Sequence, residues 1–399
     1  MMRDLRRTGS LDIRAAGLRW RFGNRHPSML LRSLVFLLLV LTCLPCAADA
    51  EQASSAAQTT FTRSLNAFPR VGEYEILCCD FHLHTTNSDG KLTPEERVLE
   101  AWRYGYDAIA ITDHAMCPNY NKSYDQASPL ARRLGVVLVR GLESGIENME
   151  HFVALGVSDK YKQRDGHLWA EVPGKKRAFY QDQLREIAAA GGFVLHPHPH
   201  VGFREPLRWA IEEGIVQGIE VENHCAGTGV ATVENHGKWW YAFAFDWALE
   251  HNLAVFANSD AHKPRGEEKQ PVTLVFAKKR SEKGILEALR ARRTLAWFDD
   301  SLCGRKELLS DLVRSMVGVR RIADANGKGF IRLENRGPVL LKAVLKDYGT
   351  WEQAVEICPY QEALVASDNA PRKLIIFWDN VLISSKDHLL TFHDLASGT

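Results

Sequence analysis

The sequence has no excess of either charge: 50 lysines and arginines stand against 49 aspartates and glutamates in 399 residues, a formal net charge of +1. That balance predicts no basic tether for nucleic acid. A stable transmembrane span is excluded as well, because the apolar run Leu34–Leu44 falls short of the roughly 20 residues a bilayer requires. There is no G-x-S-x-G elbow to support a serine nucleophile, and no internal repeat or low-complexity tract.

What is present, 45% hydrophobic and 25% charged residues, suffices for one large globular domain and a smaller one. From Met29 the chain runs basic, then apolar, then into the small-x-small tripeptide Ala48-Asp49-Ala50. This pattern predicts that residues 1–50 are an extension and signal peptide, with translation starting at Met29 and cleavage near Ala50, so the protein is expected to be secreted or periplasmic. Cys43 and Cys46 fall inside that segment, which argues against a redox C-x-x-C. Lipidation of either is the weaker alternative, since Thr42 and Pro45 precede them where a small residue is expected. Of the other six cysteines (Cys78, Cys79, Cys117, Cys225, Cys303 and Cys358), most are read as free buried thiols.

After a leader over 51–76, short apolar runs alternate with amphipathic stretches. Thr93-Pro94-Glu95-Glu96 supplies an N-cap, a proline at the first helical position and a capping-box glutamate, so a helix is expected from there to Tyr104, stopping at Gly105. Strands are expected at Gly135–Val139, His151–Val157, Phe193–Pro197, Gly218–Asn223, Leu253–Asp260 and Val272–Ala277, and helices at Ala178–Ala190, His236–Glu250 and Ser281–Arg292. Strand–helix alternation with polar residues at strand ends predicts an α/β fold with a parallel, TIM-like barrel over 77–320. Residues 321–399 read as a small all-β, sandwich-like accessory domain whose partner the sequence does not name. The aromatic row Trp239, Trp240, Phe243 and Trp247 has helical spacing and is expected to pack against the barrel.

Chemistry concentrates at strand ends. In "DFHLHTTNSDG" side chains alternate, so His82 and His84 share a face and can chelate one ion. Further ligand types recur at Asp113-His114, Glu143, His196, and Asp260 with His262, while His151 opens its strand. Strand ends converge in a barrel, and buried charges there need metals or one another. Asp113 is a candidate to orient His114, and His224 a candidate to accompany Asn223.

The ordered set H-x-H-x-x-x-x-D-G, I-T-D-H, G-L-E, H-x-x-x-L-G, H-P-H and S-D-A-H, spanning Leu77 to Arg265, is similar to the polymerase and histidinol phosphatase (PHP) family of metal-dependent phosphoesterases. The resemblance implies a distorted (β/α)7 barrel with up to three divalent ions (Mn, Zn or Fe) at its mouth. It implies that His82, His84, Glu143 and Asp260 hold one ion, that Glu143 bridges to a second held with His151 and His196, and that Asp89, His114 and His262 hold a third. Asp89 stands where some members have histidine, which bears on metal preference. Glu143, Asp260, His262 and His196 are the expected catalytic set, acting through a hydroxide generated between metals. His198, His200, Arg204, Asn223, Lys263 and Arg265 are the candidate substrate contacts. The expected activity is hydrolysis of phosphomonoesters or phosphodiesters of small organic molecules or nucleotides. Carboxyl ester or carbamate hydrolysis of the carbaryl-hydrolase type is the alternative, and a non-catalytic metal-containing binding protein is the third reading.

Overall fold

The computed structural model of the protein describes residues 60–146, 150–163, 180–200, 202–224, 240–266, 270–349, 351–366 and 371–395. The expected signal segment, Cys225 and Trp239 lie outside these residues. At the start of the fold, β1 (Glu75–Asp80) leads into the metal-ligand motif and then to α1 (Pro94–Arg103). The Thr93 hydroxyl accepts a hydrogen bond from the Glu96 amide at 3.2 Å, and the Glu96 carboxylate accepts one from the Thr93 amide at 2.8 Å. This is the capping box read from the sequence.

The α/β region continues through β2 (Ala108–Ile111), α2 (Ser123–Leu134), β3 (Val137–Ile146), β4 (Glu150–Leu155), α3 (Tyr180–Ala189) and β5 (Phe193–His196). It proceeds with α4 (Glu205–Glu212), β6 (Val216–Asn223), α5 (Ala242–Glu250), β7 (Ala254–Asn258), β8 (Val272–Ala277), α6 (Glu282–Arg290), β9 (Thr294–Phe298), β10 (Ser301–Gly304) and α7 (Lys306–Met316). Strand order is β8-β1-β2-β3-β4-β5-β6-β7. The pairs β1-β2, β2-β3, β5-β6 and β6-β7 are parallel as expected, but β4 is antiparallel to both neighbours and β8 is antiparallel to β1. The β3–β4 reversal follows from chain length, since the few residues between Ile146 and Glu150 allow a hairpin and not the crossover that a parallel pair needs.

The ladder is an open path, and side chains bring its ends together. The Thr273 hydroxyl on β8 donates to the Ala257 carbonyl on β7 and accepts from the Ala257 amide, both at 3.0 Å. Thr294 on β9 accepts from the Val255 amide at 3.1 Å. Inside lies a buried apolar cluster that includes Leu77, Phe81, Val153, Phe193, Leu195 and Phe256. Phe243 and Trp247 pack against the outer core from α5, as their spacing predicts. Trp240 packs there from a β-bridge to Glu222 ahead of the helix, which begins at Ala242 and not at the expected His236.

An all-β region follows: β11 (Val317–Ala323), β12 (Gly329–Asn335), β13 (Leu341–Lys346), β14 (Glu352–Ile357), β15 (Glu362–Ala366), β16 (Lys373–Leu382) and β17 (His388–Asp394). The boundary expected after Arg320 falls inside β11. β16 pairs in parallel with β10, joining this region to the sheet of the α/β region. Trp378, Ile376 and Leu389 share one core cluster with Ile76, Tyr106 and Leu309. Among the described residues the cysteines are free, with Cys78, Cys79 and Cys303 buried, and no helix is long and apolar enough to cross a membrane.

Replacing Thr273 by valine keeps the shape but leaves the Ala257 amide and carbonyl without their partner. The expected cost is about 1–3 kcal/mol, read as a lower midpoint of chemical unfolding with unchanged metal content. An unchanged midpoint would show that the seam is not held by this hydroxyl.

Candidate metal centre

Glu143 is the hub. A bridge between His114 and Glu143 extends the β2–β3 pairing, and the β3–β4 hairpin sets His151 opposite Gly145, diagonal to Glu143. The Glu143 Oε2 atom lies 3.3 Å from His82 Nε2, 3.2 Å from His84 Nε2 and 3.1 Å from His114 Nδ1. Oε1 lies 2.7 Å from His151 Nδ1 and 3.2 Å from His198 Nε2.

Asp260 faces the same histidines from the opposite strand end, with Oδ1 at 3.3 Å from His82 Nε2 and 3.1 Å from His84 Nε2. A third group opens toward solvent, where Asp89 Oδ2 stands 3.5 Å from His114 Nε2 and 3.3 Å from His262 Nε2. The Asp89 side chain is 53% exposed, whereas His82 and His84 are fully buried. The motif turn depends on Gly90, where a Cβ would sit 2.5–2.6 Å from the backbone of His84 and Thr85.

These residues fit divalent cations. Buried donor atoms His82 Nε2, His84 Nε2, His114 Nδ1, Glu143 Oε2 and Asp260 Oδ1 lie at ion-pair distance, yet none makes a hydrogen bond. Orphaned polar atoms at such depth are costly unless a ligand satisfies them. Donors sharing one cation at ~2.0–2.2 Å stand roughly 3–3.5 Å apart, matching the separations found.

Electrostatics bind the cluster together. Burial pulls the His82 imidazole down, but Asp260, Glu143 and Glu220 outweigh it and hold the group well above its usual range. Burial likewise opposes charging of His114, and Glu143 and Asp89 raise it to about 10. Glu143 is pushed up by burial and held well below the usual carboxylate range by His151, His82 and His114. Asp260 is lowered in the same way by His82 and His84.

The backbone is strained at two of these positions, since His198 and Asp260 adopt φ of 28° and 51°. Each costs on the order of 1–3 kcal/mol, and such strain gathers at functional sites.

The structure brings together His82, His84, Asp89, His114, Glu143, His151, Asp260 and His262, as the sequence proposed. It does not bring His196. That ring is buried against Phe152, with centroids 5.5 Å apart, and burial together with His198 and His200 pushes it down to about 3. His198 occupies the expected place, because regular β5 ends at His196 and the unusual φ at His198 turns its ring onto Glu143.

Among the substrate candidates, His200 stacks on His198 at 5.2 Å and Asn223 donates to Glu220 at 2.6 Å and to Asp260 Oδ2 at 3.4 Å. Lys263 and Arg204 are exposed. Arg265 is not a mouth residue. Its side chain is 2% exposed and binds Asp80 Oδ2 at 2.6 Å, because two buried carboxylates draw it inward.

Sequence reasoning missed Glu220 and Asp80. Glu220 accepts from His82 Nδ1 at 3.0 Å, Asn258 Nδ2 at 2.9 Å and the His198 amide at 2.8 Å, fixing the ring that faces Glu143. The signal for it was an acid inside the apolar strand "GIEVEN". Asp113, a candidate for orienting its neighbour, instead accepts from the Thr85 amide and from the Thr85, Ser88 and Ser123 hydroxyls, securing the motif turn.

This is the architecture of an α/β protein whose strand ends gather histidines and carboxylates suited to divalent metals. Residues 80–189 match the PHP domain and residues 239–294 match the PHP-associated family, so the chain carries a PHP domain. A two-domain protein of Bacteroides vulgatus containing a predicted PHP-like metal-dependent phosphoesterase superposes with a TM-score of 0.70 at 26% identity, over 84% of this chain and 100% of that one. The PolC-type DNA polymerase III of Bacillus cereus is 26% identical over 121 residues, 29% of this chain and 8% of the polymerase. A 5'-3' exoribonuclease of Haemophilus influenzae is 36% identical over 64 residues, 16% of this chain and 22% of that protein. The chain therefore spans less than a quarter of these two curated relatives.

Two outcomes are expected here. His198→Ala lowers bound metal per chain, measured by elemental analysis, while His196→Ala leaves it near the wild-type value; the reverse pattern would reject the placement. A cation must displace protons from His82 and His114, so apparent affinity rises as pH increases from 6 toward 10, checked by chelator competition. A flat or falling profile would contradict the electrostatics.

Proposed function

We propose that this protein is a metal-dependent hydrolase of phosphoesters, acting on mono- or diesters of small organic molecules or nucleotides at a site for up to three ions. The observation that carries the reading is the convergence of buried imidazole and carboxylate atoms that lack hydrogen-bond partners. His82, His84, Glu143 and Asp260 would hold one ion, Glu143 with His151 and His198 a second, and Asp89, His114 and His262 a third. Ions so held would supply Lewis acidity, making a water nucleophilic near neutral pH and offsetting negative charge on phosphoryl oxygens.

The remaining residues have separate tasks. Glu220 accepts the His82 Nδ1 proton and keeps Nε2 directed inward. Asn223 fixes the Asp260 carboxylate through Oδ2, leaving Oδ1 facing the histidines. The half-exposed Asp89 side of the cluster is the approach for substrate in this proposal, and His200, stacked on His198, is a rim contact. Residues 1–50 are proposed to direct export, with 321–399 as an accessory region.

The test is nitrophenolate release by manganese- or zinc-loaded protein from matched nitrophenyl phosphomonoester, phosphodiester and acetate, with Asp260→Asn as control. Release from a phosphate ester that falls to background in the control is expected. Release from acetate alone would replace this reading with carboxyl ester hydrolysis, and silence on all three would move the reading to a narrow substrate or a non-catalytic metal protein.

A further inference from the structure

Behind the cluster, on the side of α1, lies a chain of buried charges that touches no proposed metal-binding side chain. Arg97 is fully buried on the inner face of α1. A guanidinium has five N–H donors in a fixed fork, and here all are used. Nε and Nη2 donate to the His84 carbonyl at 3.3 and 3.1 Å, and Nη2 also donates to the Ala261 carbonyl at 3.0 Å. Nη1 donates to the Lys263 carbonyl at 3.3 Å and to the Glu100 carboxylate.

Glu100 in turn accepts from the Arg265 amide at 2.8 Å and pairs with the Arg265 guanidinium at 3.4 Å. Arg265 continues to Asp80, which accepts from the His82 amide at 3.2 Å, the Ser259 amide at 3.2 Å and the Ser259 hydroxyl at 2.6 Å. Two cations and two anions thus alternate as Arg97, Glu100, Arg265 and Asp80, and both ends clasp the backbone of the same two segments, 82–84 and 259–263.

We infer that Arg97 and its partners Glu100, Arg265 and Asp80 are positioning residues that fix the spacing between the His82/His84 strand end and the Asp260/His262 turn, and so set metal affinity. A buried ion pair is weak evidence for stability, since apolar side chains of similar size often serve as well. Its distinctive capacity is geometric. One planar group holds three carbonyls from two strand ends at once, which an apolar side chain cannot do and a point-charge ammonium does less completely. The inference rests on the metal-centre reading above.

The experiment is calorimetric titration of the metal-free full chain with manganese alone. Arg97→Met/Glu100→Gln removes one cation and one anion together, leaving the Arg265–Asp80 pair balanced. Val98→Ala, on the same helix and equally buried, disturbs packing without touching a carbonyl. The double variant is expected to bind manganese roughly 10–100-fold more weakly, with Val98→Ala close to wild type.

An unchanged dissociation constant in the folded double variant would overturn the inference, as would an equal loss in Val98→Ala. If the double variant does not fold, Arg97→Lys decides: an intermediate loss supports positioning, and wild-type affinity rejects it. Wild-type protein that takes up no manganese would instead refute the metal-centre reading itself.

Discussion

One buried carboxylate organises this molecule. Glu143 is nearly inaccessible, and five imidazoles from four strand ends reach its two oxygens. A carboxylate at that depth is unfavourable unless every oxygen lone pair is answered by a positive or proton-bearing partner. The histidines have the converse need, since several present ring nitrogens that no protein group satisfies. Neither set is tolerable alone, so the strand ends are constrained to meet there, and the reversal of β4 matters because it carries His151 to the diagonal position beside Glu143.

Around this core the supporting residues divide the work by element. Glu220 on β6 fixes a ring, Asp113 after β2 fixes the motif turn, and the charges behind α1 fix two backbone segments. The strained φ values at His198 and Asp260 fit this picture, because a backbone held in a sparsely populated region persists only where its surroundings overdetermine it. Both residues are so held: the His198 amide is bonded to Glu220, and Asp260 is braced by Asn223 and two histidines.

Much of this was legible beforehand because it is local. Alternation placed His82 and His84 together, the Thr93–Glu96 box marked the start of α1, and polar strand ends marked the mouth. The errors arose where tertiary context prevails over local pattern. In H-P-H, alternation treats His196 and His198 alike, but the strand stops between them and the turn exchanges their roles. Arg265 looks like a phosphate ligand in sequence because its buried partners Asp80 and Glu100 are distant in the chain. Arg97 left a trace that is visible in retrospect, a cation among the apolar positions Pro94, Val98 and Ala101 on the buried face of α1. The antiparallel β8 left none, since register against β1 is a long-range property.

The pairing of β16 with β10 has a consequence for the order in which the molecule is made. Val381 and Leu382 sit beside Leu302 and Cys303, and Trp378 shares a core with Ile76 and Tyr106, near the opposite end of the described chain. During synthesis the α/β region emerges first, with β10 presenting an unpaired edge and part of its core open to water until β16 leaves the ribosome. Domains that are self-contained fold as they appear. Here β16 closes the wall on which β1 leans, so completion of the sheet waits on a strand made long after β10, and a product truncated between them carries an exposed strand edge that β16 otherwise covers.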